Sequence, residues 1–163
     1  LITNQNLKMH ALLLGDGRFV FHQPGIFLNT EAVRSIRFPK TMHYCFDLYL
    51  ILYYFEIMGP PHYISQTLVK FRIHPSSKTS LNDIEFRSER ITVLETLRDE
   101  NIFIKYKKSI DKEIRIRKLQ LKIDLALAAT NENKLLNLIM ILKQHKTIFL
   151  SRYWLGALKR CIF

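Results

Sequence analysis

The sequence predicts a mixed α/β part over residues 1–79, followed by an all-α extension over residues 80–163. Two observations predict this division. All five prolines and four of the five glycines lie before residue 80, where they separate short apolar runs in the way that turns separate strands. Beyond residue 80 there is no proline, and the single glycine is Gly156, which is the composition of uninterrupted helices.

Strands and helices alternate in the first part. Short apolar runs bounded by turn residues predict strands over residues 19–21, 26–28, 62–64 and 68–73. Asn29 or Thr30 can cap a short helix over residues 31–36. Residues 44–58 are nearly all apolar without a two-residue alternation, so we expect a helix buried on most sides, with Asp47 in its first turn.

The sequence of the second part predicts four helices. The first begins near Ser80, Asn82 or Asp83 and ends at the polar stretch 99–101, where Asp, Glu and Asn follow one another. The remaining helices are expected over residues 102–129, 131–144 and from 147 to the end of the sequence.

Composition limits the class of protein. The chain has 163 residues, of which 48 % are hydrophobic, so it is too apolar for a disordered tail. Lys and Arg number 25 against 14 Asp and Glu, and the net charge of +11 indicates an anionic partner. Cys45 and Cys161 are isolated, which excludes a disulfide framework or a zinc knuckle and favours a reducing, cytoplasmic compartment.

The start of the chain has no features of a targeting segment. Residues 1–11 lack the charged start and the cleavage-site pattern of a signal peptide, and the first residue is Leu1. We therefore expect that an upstream part of a longer protein is missing. The longest apolar run, residues 48–58, contains Glu56 and is shorter than the ~20 residues that span a bilayer.

Four motifs of the first part resemble a known family. They are QPGIFL (residues 23–28), MHYCFDLYL (42–50), YISQTL (63–68) and FRIHPSSKT (71–79). In this order and spacing they resemble the acceptor-side half of family 2 glycosyltransferases, and the helical tail is similar to the end of such proteins. The resemblance implies part of a GT-A catalytic domain from an inverting enzyme. Such an enzyme transfers a sugar from a nucleotide-sugar donor to a glycan or lipid-linked acceptor, in cell-surface polysaccharide synthesis.

The resemblance also implies roles for five residues. Asp47 would take the proton from the acceptor hydroxyl, and Arg72 and Lys78 would bind the diphosphate of the donor. His74 would ligate a divalent metal (Mg or Mn) or contact the diphosphate, and Gln23 would line the acceptor side. Other interpretations stay open: Asp47 as a mere cap of its helix, residues 72–78 as an exposed basic turn, and Gln23 as a partner of backbone groups.

The sequence departs from the family pattern in two ways. Tyr49 and Tyr53 stand where family members have an acidic residue and an arginine. The D-x-D metal motif of the donor half is absent, and the acid pairs at positions 83/85 and 111/113 fit solvated charges on helices. We therefore expect that the donor-binding half is missing and that the isolated chain is inactive.

A rival function comes from the charge of the second part. It is a non-catalytic, basic helical module that binds nucleic acid or an anionic membrane surface. No RNP-type signature is present, so the enzyme interpretation includes no nucleic-acid partner. Within the enzyme interpretation, the basic tail is either a solvated face or a surface for anionic lipid headgroups, which would place the protein at the inner face of the cell membrane.

Overall fold

The computed structural model describes residues 23–62, 64–70, 83–128, 134–145 and 152–162. Short 3-10 segments cover Gln23–Gly25 and Asn101–Tyr106. The α-helices of the described residues are α1 (Thr30–Ser35), α2 (Phe46–Met58), α3 (Asp83–Asp99), α4 (Lys107–Ala128), α5 (Lys134–Gln144) and α6 (Arg152–Ile162).

The α/β class predicted for the first part is wrong, because every regular element among the described residues is helical. Residues 26–28 and 68–70 were expected in strands but form none, and Phe27 is 71 % exposed. A strand is stable only when a neighbouring strand pairs with its backbone groups, and a short apolar run does not reveal whether such a neighbour exists. The predicted strand residues 19–21, 63 and 71–73 lie outside the described residues.

The predicted helices are confirmed among the described residues except at some of their ends. The helix predicted over residues 44–58 begins at Phe46, and residues 102–106, predicted to be α-helical, belong to the 3-10 segment. Asn29 caps α1, since its Oδ1 accepts a hydrogen bond from the Ala32 N–H at 3.1 Å. Arg34 pairs with Glu31 one turn away, at 2.9 Å. In the second part, the break expected near residue 100 separates α3 from the 3-10 segment Asn101–Tyr106, which leads directly into α4.

Helix α2 is apolar on most of its circumference, as its sequence predicts. Its buried side chains are Leu48, Tyr49, Ile51, Leu52 and Phe55. The helix ends at Gly59, whose φ of 84° lies in the region that favours glycine and whose N–H donates to the Phe55 carbonyl at 2.9 Å. Burial on several sides makes α2 the central element of its unit.

The chain divides into two compact units, Leu1–Ile114 and Arg115–Phe163. In the first unit, α2 contacts both α1 and α3, and α3 contacts the 3-10 segment. The core of this unit also includes residues from α3, the 3-10 segment and the start of α4: Ile91, Val93, Leu94, Leu97, Phe103, Ile110 and Ile114.

The second unit has its own apolar core, to which three helices contribute. Ile123 from α4, Leu138 from α5, and Trp154 and Ala157 from α6 are all at most 3 % exposed. In the part of the chain that the structure describes, no helix combines the length and the apolar character needed to cross a membrane.

Candidate functional site

Asp47 lies in the first turn of α2, where the sequence places it. Its Oδ1 accepts a hydrogen bond from the backbone N–H of Leu48 at 2.8 Å. The side chain is partly buried, and burial raises the pKa of the carboxyl above its ordinary value of 3.8, although backbone hydrogen bonds act in the opposite direction. The hydrogen bond therefore fixes the position of the Asp47 carboxyl, and the raised pKa makes its carboxylate a stronger base.

A second carboxylate, from α3, lies at the same helix end. Glu89 accepts hydrogen bonds from three consecutive backbone N–H groups: His43 at 2.9 Å, Tyr44 at 2.6 Å and Cys45 at 2.6 Å. Partial burial raises the pKa of Glu89, but these three bonds together outweigh it and leave the pKa below the ordinary value of 4.5. Glu89 is thus an ionised cap that α3 supplies to α2.

The two carboxylates act on their surroundings. The charge of Glu89 contributes to the raised pKa of Asp47. Burial, with the charges of Glu89 and Asp47 as smaller causes, raises the pKa of the Cys45 thiol to about 12. The Cys45 Sγ lies 3.5 Å from the carbonyl oxygen of Phe86. A thiol with this pKa stays protonated at neutral pH and is not a nucleophile.

Sequence reasoning missed Glu89, although one signal was available. The residue at the N-cap of α2 is Cys45, which makes no side-chain capping hydrogen bond. A helix that begins at a poor capping residue must satisfy its first N–H groups from elsewhere. That signal indicates a distant partner but does not identify it.

Tyr49 and Tyr53, the two departures from the family pattern, belong to an aromatic cluster. The ring centroid of Tyr49 lies 6.3 Å from that of Phe38 and 5.6 Å from that of Tyr53, and Tyr53 lies 5.7 Å from Phe103. Tyr49 is only 2 % exposed, and burial raises its pKa to about 12. These two side chains therefore stabilise the first unit by packing.

An ion pair joins the other end of α2 to the 3-10 segment. Glu56 has a side chain only 9 % exposed, and its carboxylate contacts Nζ of Lys105. The hydrogen bond that Lys105 donates to Glu56 raises the pKa of Lys105. The same Nζ lies 5.0 Å from the ring centroid of Tyr106, a distance typical of a cation–π contact. The Glu56 carboxylate therefore has a structural role in this ion pair and is not a candidate for the catalytic base.

The remaining predicted site residues are not placed with Asp47. Arg72, His74 and Lys78 lie outside the described residues. Gln23 begins the first 3-10 segment, and the acceptor contact assigned to its side chain falls outside what is described. The convergence of these groups on one substrate stays a prediction.

The divalent metal implied by the resemblance has no evident site in the described part of the chain. Among those residues, no group of three or more His, Cys, Asp or Glu side chains is placed to hold an ion. Glu89 is already bound to three N–H groups, and the predicted ligand His74 is not described. We therefore derive no chemical step through a metal.

Of the two acid pairs predicted to be solvated charges, the pair at positions 111/113 is only partly solvated. Asp111 is partly exposed, and its Oδ1 lies 4.0 Å from Nη1 of Arg98. Glu113, in contrast, is only 3 % exposed. The solvated interpretation is wrong for Glu113. Helical periodicity places Glu113 on the same side of α4 as Ile110, three positions earlier, which is fully buried.

Comparison with protein-family models, curated proteins and solved structures found no match to this chain. The resemblance to family 2 glycosyltransferases therefore depends on the four motifs alone. Asp47 is the one residue of the predicted site whose side-chain surroundings are described, and it carries the functional argument that follows.

Proposed function

We propose that this protein acts in glycosyl transfer and that Asp47 is its catalytic base. The observation that carries the proposal is the position of Asp47: a partly buried carboxylate, held by a backbone hydrogen bond in the first turn of α2, within the motif that resembles the base-bearing helix of family 2 enzymes. No other acid of α2 has this setting, since Glu56 is paired with Lys105.

The reaction is an inverting displacement. Asp47 accepts the proton of an acceptor hydroxyl while that oxygen forms a bond to the anomeric carbon of the donor sugar. The bond from that carbon to the diphosphate breaks on the opposite face, and the nucleoside diphosphate leaves with the electron pair. The raised pKa of Asp47 suits this step, because a more basic carboxylate takes a proton from a hydroxyl more readily.

Positive charge is needed where the diphosphate departs. We assign this task to Arg72 and Lys78, because a guanidinium binds phosphate through two hydrogen bonds and an ammonium acts as a point charge. As the resemblance implies, we assign His74 to the diphosphate or to a divalent metal, and Gln23 to the acceptor. The donor is a nucleotide sugar and the acceptor is a glycan or a lipid-linked sugar, in the cytoplasm.

Glu89 supports this arrangement through the backbone. Its three hydrogen bonds hold residues 43–45, which lead directly into the turn that bears Asp47. Its negative charge also helps to raise the pKa of Asp47. Glu89 is thus a positioning residue, and its lowered pKa makes it a weaker base than Asp47.

The test is the Asp47→Asn variant of the full gene product. Transfer is measured by release of nucleoside diphosphate from a panel of nucleotide sugars, and donor binding by calorimetry. We expect transfer to fall by about 10²–10⁴-fold, the contribution of a general base, with donor affinity nearly unchanged. Asp99→Asn is the matched control, because Asp99 is an exposed acid paired only with surface groups in the described contacts.

Two results would contradict the proposal. One is transfer by Asp47→Asn at the wild-type rate. The other is a folded wild-type full gene product that neither binds nor turns over any nucleotide sugar of the panel.

A further inference from the structure

The second unit, Arg115–Phe163, carries most of the net positive charge of the protein. It contains ten Lys and Arg against two Asp and Glu, which accounts for eight of the eleven net positive charges. Helices α5 and α6 contain no acidic residue. One of the two acids, Asp124, accepts a hydrogen bond from the Tyr153 hydroxyl. The unit therefore presents cations with little acidic charge to offset them.

Helix α5 also exposes apolar side chains in a row. Leu136, Ile139 and Met140 are 53 %, 39 % and 48 % exposed, and Lys143 follows them on the same face at helical spacing. We call these four residues the α5 stripe. The opposite face of the helix packs into the core of the unit through Leu138. The α5 stripe is thus an exposed apolar surface with a cation at its end, and it lies outside the core of the second unit.

Helix α4 exposes a second, more basic row. Arg115, Lys118, Lys122 and Leu125 recur at intervals of three or four residues, and all are exposed. We call them the α4 stripe. It lies on a different face of the helix from the core residue Ile123. Helix α6 repeats the combination on a smaller scale, with Leu155 and Lys159 one turn apart and both exposed.

We propose that the second unit binds the surface of an anionic lipid bilayer. The α5 stripe would enter the boundary between headgroups and acyl chains, and the lysines and arginines would contact the anionic headgroups. In this proposal the helices lie along the surface of the bilayer and do not cross it. This inference rests on the second unit alone and does not depend on the role of Asp47.

The exposed apolar residues of the α5 stripe favour a lipid surface over nucleic acid as the partner of the second unit. A duplex offers phosphates to the cations, but it provides no apolar surface for the side chains of the α5 stripe. A bilayer satisfies both, because headgroups and acyl chains meet at one boundary. The charge and the apolar exposure of this unit therefore match a membrane surface better than nucleic acid.

The first experiment measures co-sedimentation of the full chain with vesicles. We expect binding to vesicles of phosphatidylcholine with a quarter phosphatidylglycerol, and at least about tenfold weaker binding to phosphatidylcholine alone. Raising the salt from 0.1 to 0.5 M should weaken binding to the anionic vesicles, because screening shortens the reach of the charges. This comparison uses only the wild-type protein, so it does not depend on the folding of a variant.

The second experiment uses neutral substitutions that retain helix propensity. Ile139→Gln combined with Met140→Gln should reduce partition into anionic vesicles about tenfold, because two side chains no longer enter the apolar boundary. Lys118→Gln combined with Lys122→Gln should reduce it by a similar factor. The matched controls lie in the first unit: Ile57→Gln, at a position 44 % exposed, and Lys40→Gln should bind as wild type.

Several results would overturn the proposal. They are equal binding to neutral and anionic vesicles, no binding to either by a folded protein, and unchanged binding when the α5 stripe is substituted. Tight, salt-sensitive binding to a DNA or RNA duplex without vesicle binding would assign the cations to nucleic acid instead. A dimer in sedimentation velocity that the α5 substitutions dissociate, without vesicle binding, would assign the stripe to a second copy of the chain.

Discussion

The Oε1 atom of Glu89 lies 2.6 Å from the backbone nitrogen of Cys45, forty-four positions away in the chain. This contact joins the start of α2 to the middle of α3. The N–H of Cys45, the N-cap residue, has no partner within the helix, and Glu89 supplies its acceptor, while the side chain of Cys45 makes no capping hydrogen bond. The geometry before the Asp47 turn therefore depends on a residue from another helix.

Removing this cap should destabilise the first unit. We expect Glu89→Ala to lower the free energy of unfolding by about 2–3 kcal/mol, because three N–H groups lose a charged acceptor. Urea unfolding followed by circular dichroism measures the change. Glu85→Ala, at an exposed position of the same helix, should change stability by less than about 0.5 kcal/mol. Equal effects of the two substitutions would show that the cap has no energetic importance.

Glu89 should also make stability depend on acid pH. Its pKa is lowered below 4.5 in the folded state, so its stabilisation is complete above that value and is lost as the pH falls through the folded pKa. Urea unfolding between pH 7 and pH 3 should show this loss in the wild type and a weaker loss in Glu89→Gln. Glu85→Gln should follow the wild-type curve, and a Glu89→Gln curve of the same slope would contradict the assignment.

Asp47 should have the opposite dependence. Its pKa is raised above 3.8 by burial first and by Glu89 in addition, so its favourable contribution exists below that value and is lost as the pH rises through the folded pKa. Asp47→Asn should therefore be more stable than wild type at neutral pH, and the difference should shrink towards pH 3. A variant less stable than wild type at neutral pH would show that the ionised carboxylate stabilises the fold, as a simple helix cap would.

The aromatic cluster should contribute strongly to the first unit. Phe103 is fully buried, with its ring centroid 5.7 Å from that of Tyr53 and 6.4 Å from that of Tyr106. We expect Phe103→Ala to lower the free energy of unfolding by about 3–5 kcal/mol, because it leaves a cavity. Phe27→Ala, at a position 71 % exposed, is the control and should cost less than about 0.5 kcal/mol. A small effect at Phe103 would mean that its surroundings do not form a core.

The second unit can be followed separately, because Trp154 is the single tryptophan of the chain and is buried in its core. Tyr153→Phe removes the hydrogen bond to Asp124 and should lower the stability of this unit by about 1–2 kcal/mol. The change is measured as an earlier urea midpoint of tryptophan fluorescence. Tyr54→Phe removes a hydroxyl that accepts a hydrogen bond from the Asn29 N–H in the first unit, and should leave that midpoint unchanged.

Local signals predicted the helices well. The cap at Asn29 depends on an interaction within three residues, and the helices after residue 80 depend on local helix propensity, which the lack of proline favours. Both are visible in the sequence. The strand at residues 26–28 was wrongly predicted because a strand requires a distant partner. The location of Asp47 in the first turn of α2 was likewise predicted from local sequence, but its role as a base was implied by the resemblance alone. Glu89 could be found only from the approach of α3.

The sequence by itself determined the approximate positions of the helices, how the charge is distributed along the chain and that Asp47 lies in the first turn of an apolar helix. Tertiary structure decided which groups meet: that Glu89 caps α2, that Tyr49 and Tyr53 join an aromatic core, and that the apolar residues of the α5 stripe remain exposed. Helix formation depends on neighbours three or four positions apart, while burial and pKa depend on residues that only packing brings together.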